Sequence, residues 1–203
     1  MRADADDLAG AVAALRGGAV VAVPTDTVYG MAVDPRCHGA TAALFALKGR
    51  PSTVELPVLV ADLDAAAALA GPDGLSPPAA ALASRFWPGP LTLVVGRAGD
   101  VDWELGGDGR TIGIRCPAHP VALRLCRTVG PLATTSANRH GEPPLTTAAA
   151  VAHEFGTAVG AVVDGGTCDG RPSTVVDVTG GTLRLLRDGA VPWSDLERVA
   201  SGI

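Results

Sequence analysis

The sequence is poor in several side chains that proteins ordinarily use freely. Its 203 residues contain no glutamine, and lysine, asparagine and tyrosine occur once each. Aromatic residues make up only 3%, so Ala, Val and Leu have to fill the core. Cationic side chains number 16 against 21 acidic ones, a net charge of −5 that excludes a wholesale nucleic-acid coat and leaves room only for a local basic cleft. The four cysteines (Cys37, Cys116, Cys126, Cys168) form no Cys-x-x-Cys pair. That argues against a zinc site or a disulfide framework and for reduced, mostly buried thiols. His38, His119, His140 and His153 are equally scattered and read as surface or cap residues, so no metal ligands are assigned. No apolar run is long enough to cross a bilayer, and the opening MRADADDLAG is too acidic for a secretion signal. The expectation is a cytoplasmic protein with no membrane partner.

What is present is a chain that is 47% hydrophobic and 18% charged, enough to bury a sizeable core. Leu8, Val12 and Leu15 mark a helix over 6–16 that stops at Gly17-Gly18. AVVAV (19–23) is a continuous apolar run halted by Pro24, as in a buried strand. The pattern continues with helices over 39–48, 62–71 (capped by Asp62), 76–87 (capped by Ser76), 118–129, 146–155 and 193–200. Strands are expected at 57–61, 91–96, 111–116, 131–135, 161–164 and 173–178. The last is joined through Gly180-Gly181 to TLRLLR (182–187) as a hairpin. Alternating strands and helices with a closing hairpin predict an α/β fold: a single domain over 1–203 built on a twisted mixed sheet with flanking helices.

The three residues used once each are informative because the composition replaces such residues wherever another will serve. Tyr29, Lys48 and Asn138 fall in PTDTVYG (24–30), LKGRP (47–51) and TTSANRHG (134–141), all crowded with small polar groups. A shared site is the expectation, since lysine and arginine are not interchangeable ligands. Polar loops that follow apolar strands gather at sheet ends, where α/β proteins bind ligands. Thr25, Thr27, Ser136 and Asn138 offer neutral donors and acceptors. Lys48, Arg50, Arg115 and Arg187 offer fixed positive charge, which suits an anionic ligand such as a triphosphate or carboxylate. Arg16, Arg97, Arg110 and Arg198 read as solvated surface charges. Asp26, the one carboxylate in the first motif, reads as a turn or cap residue, with a catalytic base as the alternative. FWPGPLT (86–92) is a stiff connection that shapes a pocket wall or simply links helix to strand. P-loop, dinucleotide-binding and Gly-x-Ser-x-Gly fingerprints are all missing.

Together these segments resemble the YrdC-like family of threonylcarbamoyl-AMP synthases. The resemblance rests on PTDTVYGMA (24–32), KGRP (48–51), FWPGPLTLV (86–94), IGIRCPAHP (112–120), TSANRHGEPP (135–144), PSTVVDVT (172–179) and LLRDG (185–189), in the family's order and over nearly the whole chain. It implies a sheet curled around a large, positively lined concave cavity, in the family's short form. It also implies that L-threonine, bicarbonate and ATP give threonylcarbamoyl-adenylate and pyrophosphate with Mg²⁺. The product would pass to a tRNA threonylcarbamoyl transferase complex, with at most weak or indirect tRNA contact.

Carried over by motif, Lys48 and Arg50 are the catalytic and phosphate-holding cations. Ser136, Asn138, Ser173 and Arg187 hold the nucleotide, and Thr27 and Arg115 the threonine. One departure stands out: where the family places Lys or Asn before Pro-Leu, this chain has STVELPVLV (52–60), with Val54 at the polar position. Either Ser52 or Thr53 substitutes, ATP is held more weakly, or the protein is a divergent paralogue. Two rival readings share the fold. One is a double-stranded RNA-binding module for ribosome maturation, and the other is the carbamoyl-transfer domain of hydrogenase maturation proteins.

Overall fold

The structure, a computed structural model, describes residues 5–49, 51–72, 74–139, 141–180 and 182–202. In chain order the elements are α1 (Ala5–Arg16), β1 (Val21–Pro24), β2 (Tyr29–Val33), α2 (Ala40–Lys48), β3 (Val58–Leu59), α3 (Leu63–Leu69), α4 (Pro77–Phe86), β4 (Leu91–Gly96) and β5 (Thr111–Arg115). They continue with α5 (Pro120–Val129), β6 (Leu132–Ser136), α6 (Ala148–Phe155), β7 (Ala161–Val162), β8 (Thr174–Asp177), β9 (Arg184–Arg187) and α7 (Trp193–Ala200). Among the described residues the strands form one mixed sheet in the order β7-β1-β2-β6-β3-β5-β4-β8-β9. The pairs β1–β7, β3–β5 and β4–β8 are parallel and the other neighbours antiparallel.

Side chains alternate across a strand, so each face of the sheet can be followed by parity. On one face Met31, Val58, Leu93, Ile112, Ile114, Ala133 and Val176 pack under Leu44 of α2, Leu69 of α3, Leu82 of α4, Val151 of α6 and Leu196 of α7. On the other face only one half is covered. There Val21, Val23, Ala32, Leu59 and Leu132 lie beneath Leu8, Ala11 and Leu15 of α1 and Val121, Leu125 and Val129 of α5. Continuing the same parity past that cluster gives Gly30, Thr134, Ser136, Pro57, Gly113, Thr92 and Val94, none of which is a large apolar residue. This uncovered half is the wall of a cavity.

The elements lie close to where the sequence patterns put them. Asp62 caps α3 by accepting the Ala65 N–H (2.9 Å), and Ser76 caps α4 by accepting that of Ala79 (3.4 Å). His119 caps α5 through Nδ1, in keeping with its expected role. The four thiols are free, with Cys116, Cys126 and Cys168 buried. Two differences are notable. The loop reading of PTDTVYG ends too late, because Tyr29 already opens β2. The pattern over 161–164 yields only a two-residue strand.

After β9 the chain turns back across Ser173, and Gly189 makes the crossing possible. A Cβ there would lie 2.4 Å from the Ser173 carbonyl carbon and from the Thr174 nitrogen. The neighbouring Ala190 N–H donates to Pro172 O, and Thr174 Oγ1 donates to Val191 O, which ties the two segments together. Gly189→Ala should therefore destabilise the fold by about 1–3 kcal/mol, because the obstructing atoms are backbone. A urea midpoint equal to wild type would show that the crossing is looser than this packing requires.

Candidate active site

The cavity has a volume of about 970 Å³, room for an amino acid and a nucleotide together. Its floor runs across the strands in register. Gly113, Val94, Asp177 and Arg184 lie at one level, and Thr92, Val175 and Arg187 at the adjacent one, with Arg115 beside Leu59. Glycine at 113 lets the strand lie close to its neighbours, since a Cβ there would sit 3.3 Å from Pro57 Cβ and in ordinary contact with Thr92. Three polar clusters stand around this floor.

The first is centred on Arg115, at the end of β5 and 7% exposed. Its Nε donates to Gly89 O (3.1 Å), Nη1 to Thr27 Oγ1 (2.9 Å) and Nη2 to Asp26 Oδ1 (2.7 Å). Burial lowers the affinity of this guanidinium for its proton, and Asp26 opposes that effect. A guanidinium has five N–H donors, so two remain for a ligand. The Gly89 acceptor comes from the FWPGPLT turn, so that segment does shape the site. Asp26 also accepts the Ala118 N–H (2.9 Å) just before α5. It is therefore the partner of Arg115 as well as a cap-like acceptor, and its part in the site was not read from the sequence.

The hydroxyls beside Arg115 have a definite polarity. Thr25 Oγ1 lies 2.6 Å from Val28 O, which takes its only proton. Thr25 Oγ1 also accepts the Thr27 and Val28 N–H groups (3.2 Å each), which fills its two lone pairs, and it lies 2.9 Å from Thr27 Oγ1. Thr27 Oγ1 accepts from Arg115 and keeps a second lone pair as an acceptor for an incoming N–H.

The second cluster joins β4, β8 and β9. Ser173 Oγ lies 2.9 Å from Thr92 Oγ1, and Arg187 donates to Ser173 through Nη2 to Oγ (2.9 Å) and Nε to the carbonyl (3.0 Å). Ser173 is buried and Arg187 exposed on the cavity wall.

The third cluster joins Lys48 and Asn138. The ammonium, at the last residue of α2, donates to Ser136 O (2.8 Å), to Asn138 Oδ1 (2.7 Å) and to Asn138 O. Ser136 Oγ donates to the same Oδ1 (2.6 Å), and the amide nitrogen donates to Arg139 O and Glu142 O. Ser136 lines the cavity, whereas Lys48 and Asn138 are buried behind it. Two of the three single-occurrence residues thus meet as expected. The third does not: Tyr29 is fully buried, and its hydroxyl donates to Gly166 O (2.9 Å) and accepts from the Gly165 N–H (3.2 Å). Its ring faces the helix-covered core, and its hydroxyl pins the loop that follows β7. Arg50 and His140 lie outside the described residues.

Other residues occupy the rim. Val54 is 45% exposed on the cavity wall, while Ser52 and Thr53 are not part of it. Arg110, expected on the surface, is exposed but stands at the cavity and pairs with Asp108 (2.6 Å). Arg97, expected as a solvated surface charge, is instead half-buried outside the cavity lining and donates to Trp103 O (2.5 Å). Arg184 pairs with Asp177 (2.7 Å). Burial raises the Glu55 carboxyl to about 7, opposed by the Thr111 hydroxyl and by Arg97. Among the described residues no three His, Cys, Asp or Glu converge as metal ligands.

Over residues 13–189 the sequence matches the profile of the Sua5/YciO/YrdC family, described as telomere recombination. The chain belongs to that family. A threonylcarbamoyl-AMP synthase from Chromohalobacter salexigens is 42% identical over 188 residues, covering 91% of this chain and 100% of that protein. Among solved structures, P. abyssi Sua5 complexed with L-threonine is similar at a TM-score of 0.89 and 37% identity, over 95% of this chain and 56% of that one. The present chain thus spans a little over half of the archaeal member. E. coli YciO shares the fold at a TM-score of 0.83, over 91% of this chain and 90% of its own, with 24% identity. The expected α/β architecture is shared with these neighbours.

The Lys48 clamp makes a test of its own. Lys48→Met keeps the length of the side chain but removes the buried donor of Ser136 O and Asn138 O, leaving Asn138 Oδ1 with Ser136 Oγ alone. It should lower the unfolding free energy by about 2–3 kcal/mol. Unchanged urea unfolding would mean that the ammonium does not hold the loop.

Proposed function

We propose that this chain is a threonylcarbamoyl-AMP synthase, an enzyme that makes threonylcarbamoyl-adenylate and pyrophosphate from L-threonine, bicarbonate and ATP. The observation that carries the reading is one cavity whose lining includes Arg115 and Thr27 together with Ser136, Ser173 and Arg187. At Arg115 two guanidinium N–H groups await a carboxylate, and beside them Thr27 presents a lone pair to an amine. That donor and acceptor pair matches the head of an α-amino acid. The L-threonine bound to P. abyssi Sua5 and the name of the Chromohalobacter relative agree with it.

In this reaction the threonine nitrogen, after losing its ammonium proton to solvent, bonds as the neutral amine to the carbon of bicarbonate, and water leaves. A carbamate oxygen then attacks the α-phosphorus of ATP while the bond to pyrophosphate breaks. The carbamate, the triphosphate and the departing pyrophosphate are all anionic, so the task of the protein in this step is alignment and fixed positive charge rather than strong base chemistry. Ser136, Ser173 and Arg187 would contact the nucleotide from the cavity wall. Lys48 would act from behind Ser136, its charge reaching the phosphates while its donors fix the loop, with Arg50 as the direct phosphate contact. Glu55, Asp108 and Asp177 line the cavity, but Asp108 and Asp177 are engaged with arginines. The residues therefore fit Mg²⁺ only as the companion of the triphosphate, whose departing charge it would neutralise. The product is a reactive mixed anhydride, suited to direct transfer to a tRNA threonylcarbamoyl transferase complex.

The RNA-binding reading needs a field of available cations. Around this cavity Arg110, Arg115 and Arg184 are each paired with a carboxylate, which favours a small ligand over a duplex.

Pyrophosphate release should require threonine and bicarbonate together. Release from ATP alone, or salt-sensitive RNA binding without turnover, would refute the assignment. Lys48→Ala should cut turnover about a hundredfold or more. Thr27→Ser should leave the threonine KM within about threefold, whereas Thr27→Val should raise it at least tenfold by removing the lone pair. Equal KM values for the two variants would exclude Thr27 from the amine subsite.

A further inference from the structure

The Arg115–Asp26 pair carries more information than a carboxylate clamp requires. Asp26 is not among the residues that line the cavity; it contacts the guanidinium at 2.7 Å, and its side chain is 16% exposed against 8% for Arg115. Among the described residues it forms an ion pair with Arg115 alone. The titratable neighbours whose fields reach the pair are His119, Cys116 and Cys168. Burial pushes the His119 imidazole down and both thiols up, so all three are neutral at pH 7. His119 is further committed as an acceptor, taking the Val121 N–H on Nδ1. The subsite therefore has one positive and one negative charge, and a net charge of zero.

A net-neutral, desolvated subsite treats ligands unequally. A bare carboxylate would gain the two remaining guanidinium donors but would enter beside the negative charge of Asp26 with nothing to offset it. An α-amino acid brings its own cation, which the Thr27 lone pair faces. At separations of a few ångströms in a partly buried site, an unbalanced unit charge shifts affinity by about tenfold or more. We propose that Asp26 is a positioning residue that makes the Arg115 subsite select zwitterions, by cancelling the guanidinium charge and fixing one of its Nη donors, so that simple carboxylates are rejected. This rests on the placement of threonine at Arg115 proposed above.

The test compares L-threonine with 3-hydroxybutyrate, the same molecule without its amino group, by protein-observed NMR titration of the full chain. Wild type should prefer threonine by at least about fiftyfold. Asp26→Asn keeps an oxygen for Arg115 and for the Ala118 N–H but removes the charge. It should narrow the preference at least tenfold, mainly through tighter 3-hydroxybutyrate binding, with ATP affinity unchanged. Asp26→Ala, which also frees the guanidinium, should weaken both ligands. A threonine preference in Asp26→Asn within twofold of wild type would overturn the inference. So would 3-hydroxybutyrate binding to wild type within threefold of threonine, a measurement that needs no variant to fold. Arg115→Ala separates the two layers. If it binds threonine as wild type does, the placement of threonine is wrong; if it loses threonine while Asp26→Asn keeps the preference, only the role of Asp26 falls.

Discussion

A guanidinium that is almost wholly buried must have its charge answered from within the protein, and much of this site follows from that requirement. Arg115 is answered on three sides, by a carboxylate from the β1–β2 loop, a hydroxyl from the same loop and a carbonyl from the turn before β4. These acceptors come from segments distant in sequence, so fixing the guanidinium also fixes how those segments meet. The cost of leaving any of them unpaired in this environment exceeds the modest gain of an ordinary hydrogen bond. The pair therefore specifies geometry more than it adds stability, and it leaves two guanidinium donors uncommitted to these three acceptors.

The sheet accommodates such a site by using small residues where a core would ordinarily have large ones. On the same face, and at the same parity, Val21, Val23 and Leu132 are covered by α1 and α5, whereas Gly30, Gly113, Thr92 and Thr134 are not. The thinning of branched apolar residues to glycine and threonine, with Val94 and Val175 remaining, marks the passage from core to cavity. A curled sheet can leave this half open because its opposite face carries an apolar layer under five helices. The scarcity of aromatic residues fits this plan, with aliphatic chains filling the covered face and hydroxyls the open one.

Most of the architecture was legible in the sequence because the buried strands are bounded by proline and glycine, and the helix caps are explicit at Asp62 and Ser76. The strand at Tyr29–Val33 was obscured because its first residues complete a polar motif, and period alone does not divide a loop from a short fully buried strand. In the site, the meeting of Lys48 with Asn138 was readable from their rarity. Rarity misled for Tyr29, since a lone tyrosine can equally be retained for one hydroxyl that ties a loop to a strand. Asp26 was underrated for a different reason. A loop carboxylate looks like a turn residue until the strand that brings Arg115 to it is known, and that strand begins more than eighty residues later. Pairing across such a distance leaves no mark in local pattern.

The chemistry of a lysine also explains why the one ammonium sits behind the wall and not on it. An arginine there would present a planar fork, suited to two parallel acceptors. The Ser136 carbonyl, the Asn138 carbonyl and the Asn138 side-chain oxygen instead surround a point, as a compact donor with three N–H groups requires. Ser136 Oγ donates to the same Asn138 oxygen, so the direction of that hydroxyl is set by the lysine one bond away. What the cavity presents at this wall is then a serine oxygen whose lone pairs can accept from a ligand hydroxyl or amine, with a positive charge close behind it. That charge steadies a nearby anion without committing the lysine to any one ligand atom, while the serine, its proton given to Asn138, acts only as an acceptor. It is the form of preorganisation expected where the reacting partners change from triphosphate to adenylate and pyrophosphate in place.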